Sequence, residues 1–79
     1  MTQTKAPRDP ALVQFGAEVK AARLRAGKKA TQFAAEVEIS RSRLYAIESG
    51  EPASDAYYWR IANALSIDPS GVVREREAS

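Results

Sequence analysis

The 79-residue sequence contains no cysteine and no histidine. Without cysteine there are no disulfide staples, thiolate nucleophiles or Cys-based zinc sites, a composition at home in a reducing cytosol. Without histidine the commonest general base and the commonest metal ligand are both missing. No phosphate-cradling glycine loop is present, and the carboxylates are scattered through charged segments. The expectation is therefore no enzyme, with no catalytic residues, metal or cofactor. No apolar run approaches the roughly 18 residues of a membrane span, and no signal-peptide core follows the start. A cytoplasmic protein without a membrane partner is expected.

The chain is long enough for one small domain, which buries only about 60% of the surface its unfolded chain exposes. The net charge is only +2 but is unevenly spread. Between Lys20 and Arg43 stand seven basic residues (Lys20, Arg23, Arg25, Lys28, Lys29, Arg41, Arg43) against two acidic ones, Glu36 and Glu38. The remainder is net acidic. One basic segment on a weakly charged chain points to a surface that faces a polyanion, although a solvated face reads the same way by charge alone.

Residues 1–10, with Pro7 and Pro10 and no apolar periodicity, read as a flexible arm; residues 74–79 read as a charged tail. The domain between them, 11–73, reads as helices without strands. Leu12, Phe15, Val19, Ala22 and Ala26 share one helical stripe, closed by Arg23, Arg25 and then Gly27. A second short helix carries Phe33, Ala34 and Val37 inward; Lys29 is no cap for it, and Thr31 is the candidate. A third begins at Ser40, whose hydroxyl can cap it, and stops at Gly50 and Pro52. Ser54 and Asp55 open a fourth with the stripe Tyr58, Ile61, Ala62 and Leu65. Asp68-Pro69 predicts a short fifth helix carrying Val72 and Val73. The expected fold class is thus all-α, a compact five-helix domain.

Helices two and three are joined by very little chain, which makes a helix-turn-helix unit. At 100° per residue Leu44, Ile47 and Glu48 share the inner face of helix three. Ser42, Ala46 and Ser49 point the opposite way, with Arg43 and Tyr45 on the flanks. Arg41 lies nearer the inner edge, in the first turn. A face of small residues bordered by arginines suits a DNA groove, where arginine reaches phosphate or the O6 and N7 of guanine.

These residues resemble the helix-turn-helix domains of lambda-type repressors and Cro proteins, the XRE-like family. The resemblance covers roughly residues 15–67. It is carried by Phe15-Gly16, Val19, Arg23 and Gly27 in helix one and by Phe33-Ala34 in helix two. Ile39-Ser40-Arg41-Ser42 matches the turn and the start of the recognition helix, Ile47-Glu48-Ser49-Gly50 its ending, and Ala62-Asn63-Ala64-Leu65 helix four.

The resemblance implies a lambda-repressor-like fold in which Arg41, Ser42 and Ala46 face base edges. Ser40, Arg43 and Ser49 would sit near phosphates, with Tyr45 able to reach the groove. Lys28, Lys29 and Thr31 complete the DNA-binding set. Arg23 and Glu48 would form an internal ion pair. The sequence departs from the pattern at Ala30, where the family usually has a backbone-contacting glutamine. Other departures are Glu38 at the turn glycine, Lys28 at a usual leucine and a shorter loop after Gly50.

The implied function is a sequence-specific DNA-binding transcriptional regulator, a Cro-like repressor of phage or bacterial type acting by operator occupancy. Its partner would be double-stranded DNA with a palindromic operator, bound as a homodimer. Val72 and Val73 are candidates for the dimer seam. With no sensor domain expected, no small-molecule ligand is expected either. The alternative is a protein-interaction module on the same fold that has lost DNA binding, such as an antitoxin-type partner, with Tyr57, Tyr58 and Trp59 as candidate anchors. Ordinary packing is the competing reading of those three aromatics.

Overall fold

Asp9 and Pro10 start the first helix. An Asp9 carboxylate oxygen accepts from the Ala11 amide at 2.9 Å, and Pro10 supplies the fixed φ suited to a first helical position. Both fall in the stretch 1–10 that the sequence reads as a flexible arm, so the helix starts earlier than expected. The structure, a computed structural model, describes residues 9–73, so the rest of the arm and the tail of residues 74–79 lie outside the described residues. Within them are four helices and no strand: α1 (Pro10–Arg25), α2 (Ala30–Glu36), α3 (Arg41–Glu48) and α4 (Asp55–Leu65).

All four helices among the described residues end across a left-handed residue. In α1 the Lys28 amide donates to the Arg23 carbonyl and the Gly27 amide to that of Leu24, with Gly27 at φ 74°. The same pair of bonds closes α2 across Glu38 (φ 61°) and α3 across Gly50 (φ 93°). At the end of α4, Ser66 is left-handed at φ 58° and Ile67 donates to the Ala62 carbonyl. This stop satisfies carbonyls that the helix itself leaves open, and it requires a left-handed residue that glycine adopts without strain. Glu38 and Ser66 adopt it without being glycine.

The core is built around α3, which packs on both α1 and α2, while α4 packs on α1. Val19, Phe33, Leu44, Ile47 and Ile61 are fully enclosed, each stabilising the fold by about 1.5–3 kcal/mol through removal of apolar surface from water. Tyr58 meets Phe15 edge to face, ring centres 5.5 Å apart, and its hydroxyl accepts from the Ala53 amide at 2.9 Å. One α1 residue brings the helices into backbone contact. A Cβ built on Gly16 would lie 2.5 Å from the Ile47 carbonyl oxygen and 2.6 Å from that of Glu48. Glycine is what lets α1 lie against the end of α3.

Several expectations change. The stripe of α1 ends at Ala22, because Ala26 is the exposed residue that closes the helix. Helix α2 begins at Ala30, so Thr31 lies inside it rather than capping it. The Lys29 amide at its start is met, at 3.4 Å, by the Gln32 side-chain oxygen. Ser54 stands at the cap position of α4, yet its hydroxyl makes no capping bond. The expected fifth helix is a single turn within the described residues: the Val72 and Val73 amides both donate to the Pro69 carbonyl. The Asp68 carboxylate accepts from the Ser70 amide and hydroxyl, both at 3.0 Å, which favours a local turn. Gly71 then weakens helix propagation. No helix among the described residues is long and apolar enough to cross a membrane, and no group of acidic side chains there could hold a metal ion.

Candidate nucleic-acid interface

Helix α3 has two unlike sides. Its inner side is Leu44 and Ile47, both enclosed, together with the Glu48 carboxylate. Its outer side carries Arg41, Ser42, Arg43, Tyr45 and Ser49, all exposed, with Tyr45 at 50%. Ala46, expected on the open face, is only half-exposed. Arg41, placed nearer the inner edge by periodicity, is exposed, since a residue in the first turn has no preceding turn of helix to cover it.

The start of α3 is fixed by Ser40, whose Oγ accepts from the Arg43 amide at 3.0 Å. That bond uses the oxygen as acceptor, so the hydroxyl proton stays available for an anionic oxygen. At the other end the Ser49 hydroxyl donates to the Tyr45 carbonyl at 3.0 Å. The helix therefore offers a narrow polar face in which the serines at its two ends, Ser40 and Ser49, are each anchored to its own backbone.

Glu48 holds this helix to α1. Arg23 donates from Nε to Glu48 Oε2 at 2.8 Å and from Nη2 to Oε1 at 3.2 Å, the fork geometry that matches guanidinium to carboxylate. A third bond runs from Arg23 Nη1 to the Lys28 carbonyl at 3.0 Å. The two side chains are 7% and 6% exposed. The hydrogen bond to Glu48 pushes the Arg23 guanidinium above its usual value, against burial, which lowers it. Arg23 therefore keeps its charge at every ordinary pH.

The remaining candidates cluster at the entry to α2. Lys29 and Thr31 are exposed. Lys28 Nζ is paired with the Glu36 carboxylate at 2.9 and 3.0 Å. Such a partly exposed pair is worth at most about 1 kcal/mol, so an incoming anion can compete for the ammonium. Ala30, the position of the family's glutamine, is buried and has no polar group to offer.

Tyr57, Tyr58 and Trp59 prove to be three different things. Tyr58 belongs to the core, and Trp59 is 47% exposed. Tyr57 receives two arginines: the Arg43 guanidinium carbon lies 5.3 Å from its ring centre and that of Arg60 5.5 Å. Arg60 Nη1 also donates to the carbonyls of Val37 at 3.0 Å and Glu38 at 3.2 Å, at the end of α2. Arg60 was not among the sequence candidates. The available signal was its i, i+3 spacing from Tyr57, which puts both on one side of α4.

Residues 14–75 match the family described as "Helix-turn-helix domain". Among solved structures, the chain is similar to the restriction-modification controller protein C.AhdI from Aeromonas hydrophila. The two share 27% identity with a TM-score of 0.67, over 77% of this chain and 94% of that one. No curated protein matches the chain.

Proposed function

Because the chain belongs to the helix-turn-helix domain family, and within it to the lambda-repressor and Cro (XRE) type, it is a DNA-binding transcriptional regulator, and we propose that it is a repressor that reads its operator through α3. The observation that carries this reading is the division of α3. Its outer face is small and polar with Arg41 and Arg43 in the first turn, while its inner face is fixed by Leu44, Ile47 and the Arg23–Glu48 pair. A helix held rigidly from behind can present side chains to a groove without losing its register.

In this reading Arg41, Ser42 and Ala46 meet base edges and Tyr45 reaches the groove. Ser40, Arg43 and Ser49, with Lys28, Lys29 and Thr31 at the entry to α2, meet the phosphate backbone. Repression follows from occupancy: a protein seated on its operator excludes polymerase. Two copies on a palindromic site would place their α3 helices in successive major grooves, about 34 Å apart. Val72 is buried in the core of the single chain and so has no surface to offer a dimer seam; of the two expected seam residues the half-buried Val73 is kept as the candidate. The similarity to a controller protein supports control of restriction-modification genes as the setting, ahead of a phage circuit.

Selection of bound sequences from a random DNA pool tests the proposal. The expected product is a two-fold symmetric site with half-sites one helical turn apart. A pool that never enriches, with no shift of DNA in a gel, would instead favour a protein-interaction module. The exposed Trp59, Leu24 and Val13 would then be its first candidate anchors.

A further inference from the structure

Arg43 is held before any ligand arrives. Its guanidinium lies against the Tyr57 ring at 5.3 Å, and Tyr57 is half-buried on α4. The ring is braced by Arg60, 5.5 Å from the same centre and hydrogen-bonded to the Val37 and Glu38 carbonyls. Three elements are joined in sequence: the end of α2, the first turns of α4, and the first turn of α3.

We propose that Tyr57 is a positioning residue for Arg43, with Arg60 fixing the ring, so that the arginine at the start of α3 is preset for a phosphate. The inference rests on the reading of α3 as the DNA-facing helix. The planar guanidinium stacks through its face and donates hydrogen bonds through its edge, so one group can do both at once. A free arginine on a helix surface samples many rotamers, and binding must fix one of them. Stacking on a braced ring removes much of that freedom in the unbound protein, which is preorganisation. The two guanidinium groups near one ring also repel each other, and an anion seated beside them relieves that repulsion.

Two measurements test this, and they fail separately. The first needs no DNA. In the wild-type protein the Arg43 side-chain protons resonate away from their free positions because of the Tyr57 ring current, and the Arg43 Nε–H is more rigid than that of Arg41. In Tyr57→Leu both effects disappear, whereas Tyr57→Phe keeps them. Arg43 resonances at free positions in the wild type would overturn the proposal, even if the leucine variant did not fold.

The second measurement is affinity for the selected DNA site. Tyr57→Leu lowers affinity about two- to five-fold, the worth of an exposed cation–π contact. Tyr57→Phe leaves it unchanged, and Tyr57→Leu adds nothing once Arg43→Ala is present. Fully additive losses would mean that Tyr57 acts independently of Arg43, and the positioning role would be wrong. If the wild type bound no DNA, the reading of α3 would fail, while the resonance measurement would still decide whether Tyr57 holds Arg43.

Discussion

Arg23 and Glu48, twenty-five positions apart in sequence, are joined by two parallel hydrogen bonds of 2.8 and 3.2 Å between the first helix and the end of the third. Both side chains are almost wholly enclosed, and no buried side-chain polar atom among the described residues lacks a partner. Removing one partner leaves the other charge buried and alone, which costs about 3–5 kcal/mol. Arg23→Ala and Glu48→Ala should each cause a loss of that order in denaturant unfolding. The double variant should lose far less than their sum. Full additivity in the cycle would show that the pair is not a unit.

Gly16 gives a second test of the same α1–α3 contact. An added methyl group would meet the Ile47 and Glu48 carbonyls at 2.5 and 2.6 Å, and these are backbone atoms that cannot rotate away. Gly16→Ala should destabilise by about 1–3 kcal/mol, in the range for overpacking. The gain in helix propensity that alanine normally brings should be outweighed. An equal or higher melting temperature would mean that α1 and α3 separate without cost.

Glu38 holds φ 61° at the stop of α2, where glycine is the unstrained choice. Glu38→Gly should stabilise by about 1 kcal/mol, equivalent to a rise of roughly 4–8 °C in Tm for a domain of this size. It also removes a negative charge near the proposed phosphate path, so DNA binding should tighten. Glu38→Ala separates the two effects, since it removes the charge and keeps the strained φ. Thermal unfolding and DNA titration of the two variants check this; a lower Tm for Glu38→Gly would contradict the strain account.

Much of this was legible in the sequence where one residue type has one physical use. Ser40 caps α3, and Gly27 and Gly50 stop helices. The spacing of Leu44, Ile47 and Glu48 marks the inner face of α3, and the resemblance marks Glu38 as standing at a turn glycine. The rest depended on contacts that no local pattern encodes. Asp68-Pro69 is a helix start only if the following residues continue the ladder; here Asp68 bonds Ser70 and the chain makes one turn. Thr31 has the chemistry of a cap but lies two residues past the cap position Lys29, because α2 already begins at the buried Ala30. The different fates of Tyr57, Tyr58 and Trp59 depend on which way α4 rolls against α1. The Arg43–Tyr57–Arg60 stack joins helices that sequence periodicity treats one at a time.

The central claim is that α3 reads DNA, and Arg41 and Arg43 test it most directly because they should fail in different ways. The measurement is affinity as a function of salt for the wild type, Arg41→Ala and Arg43→Ala, on the selected site and on random DNA. Arg41→Ala should cost about 1–3 kcal/mol on the selected site and relax preference at one base pair per half-site. Arg43→Ala should weaken binding to both DNAs nearly equally and reduce the slope of log affinity against log salt by about one per subunit. If neither substitution changed affinity for either DNA at any salt concentration, α3 would not be the reading element.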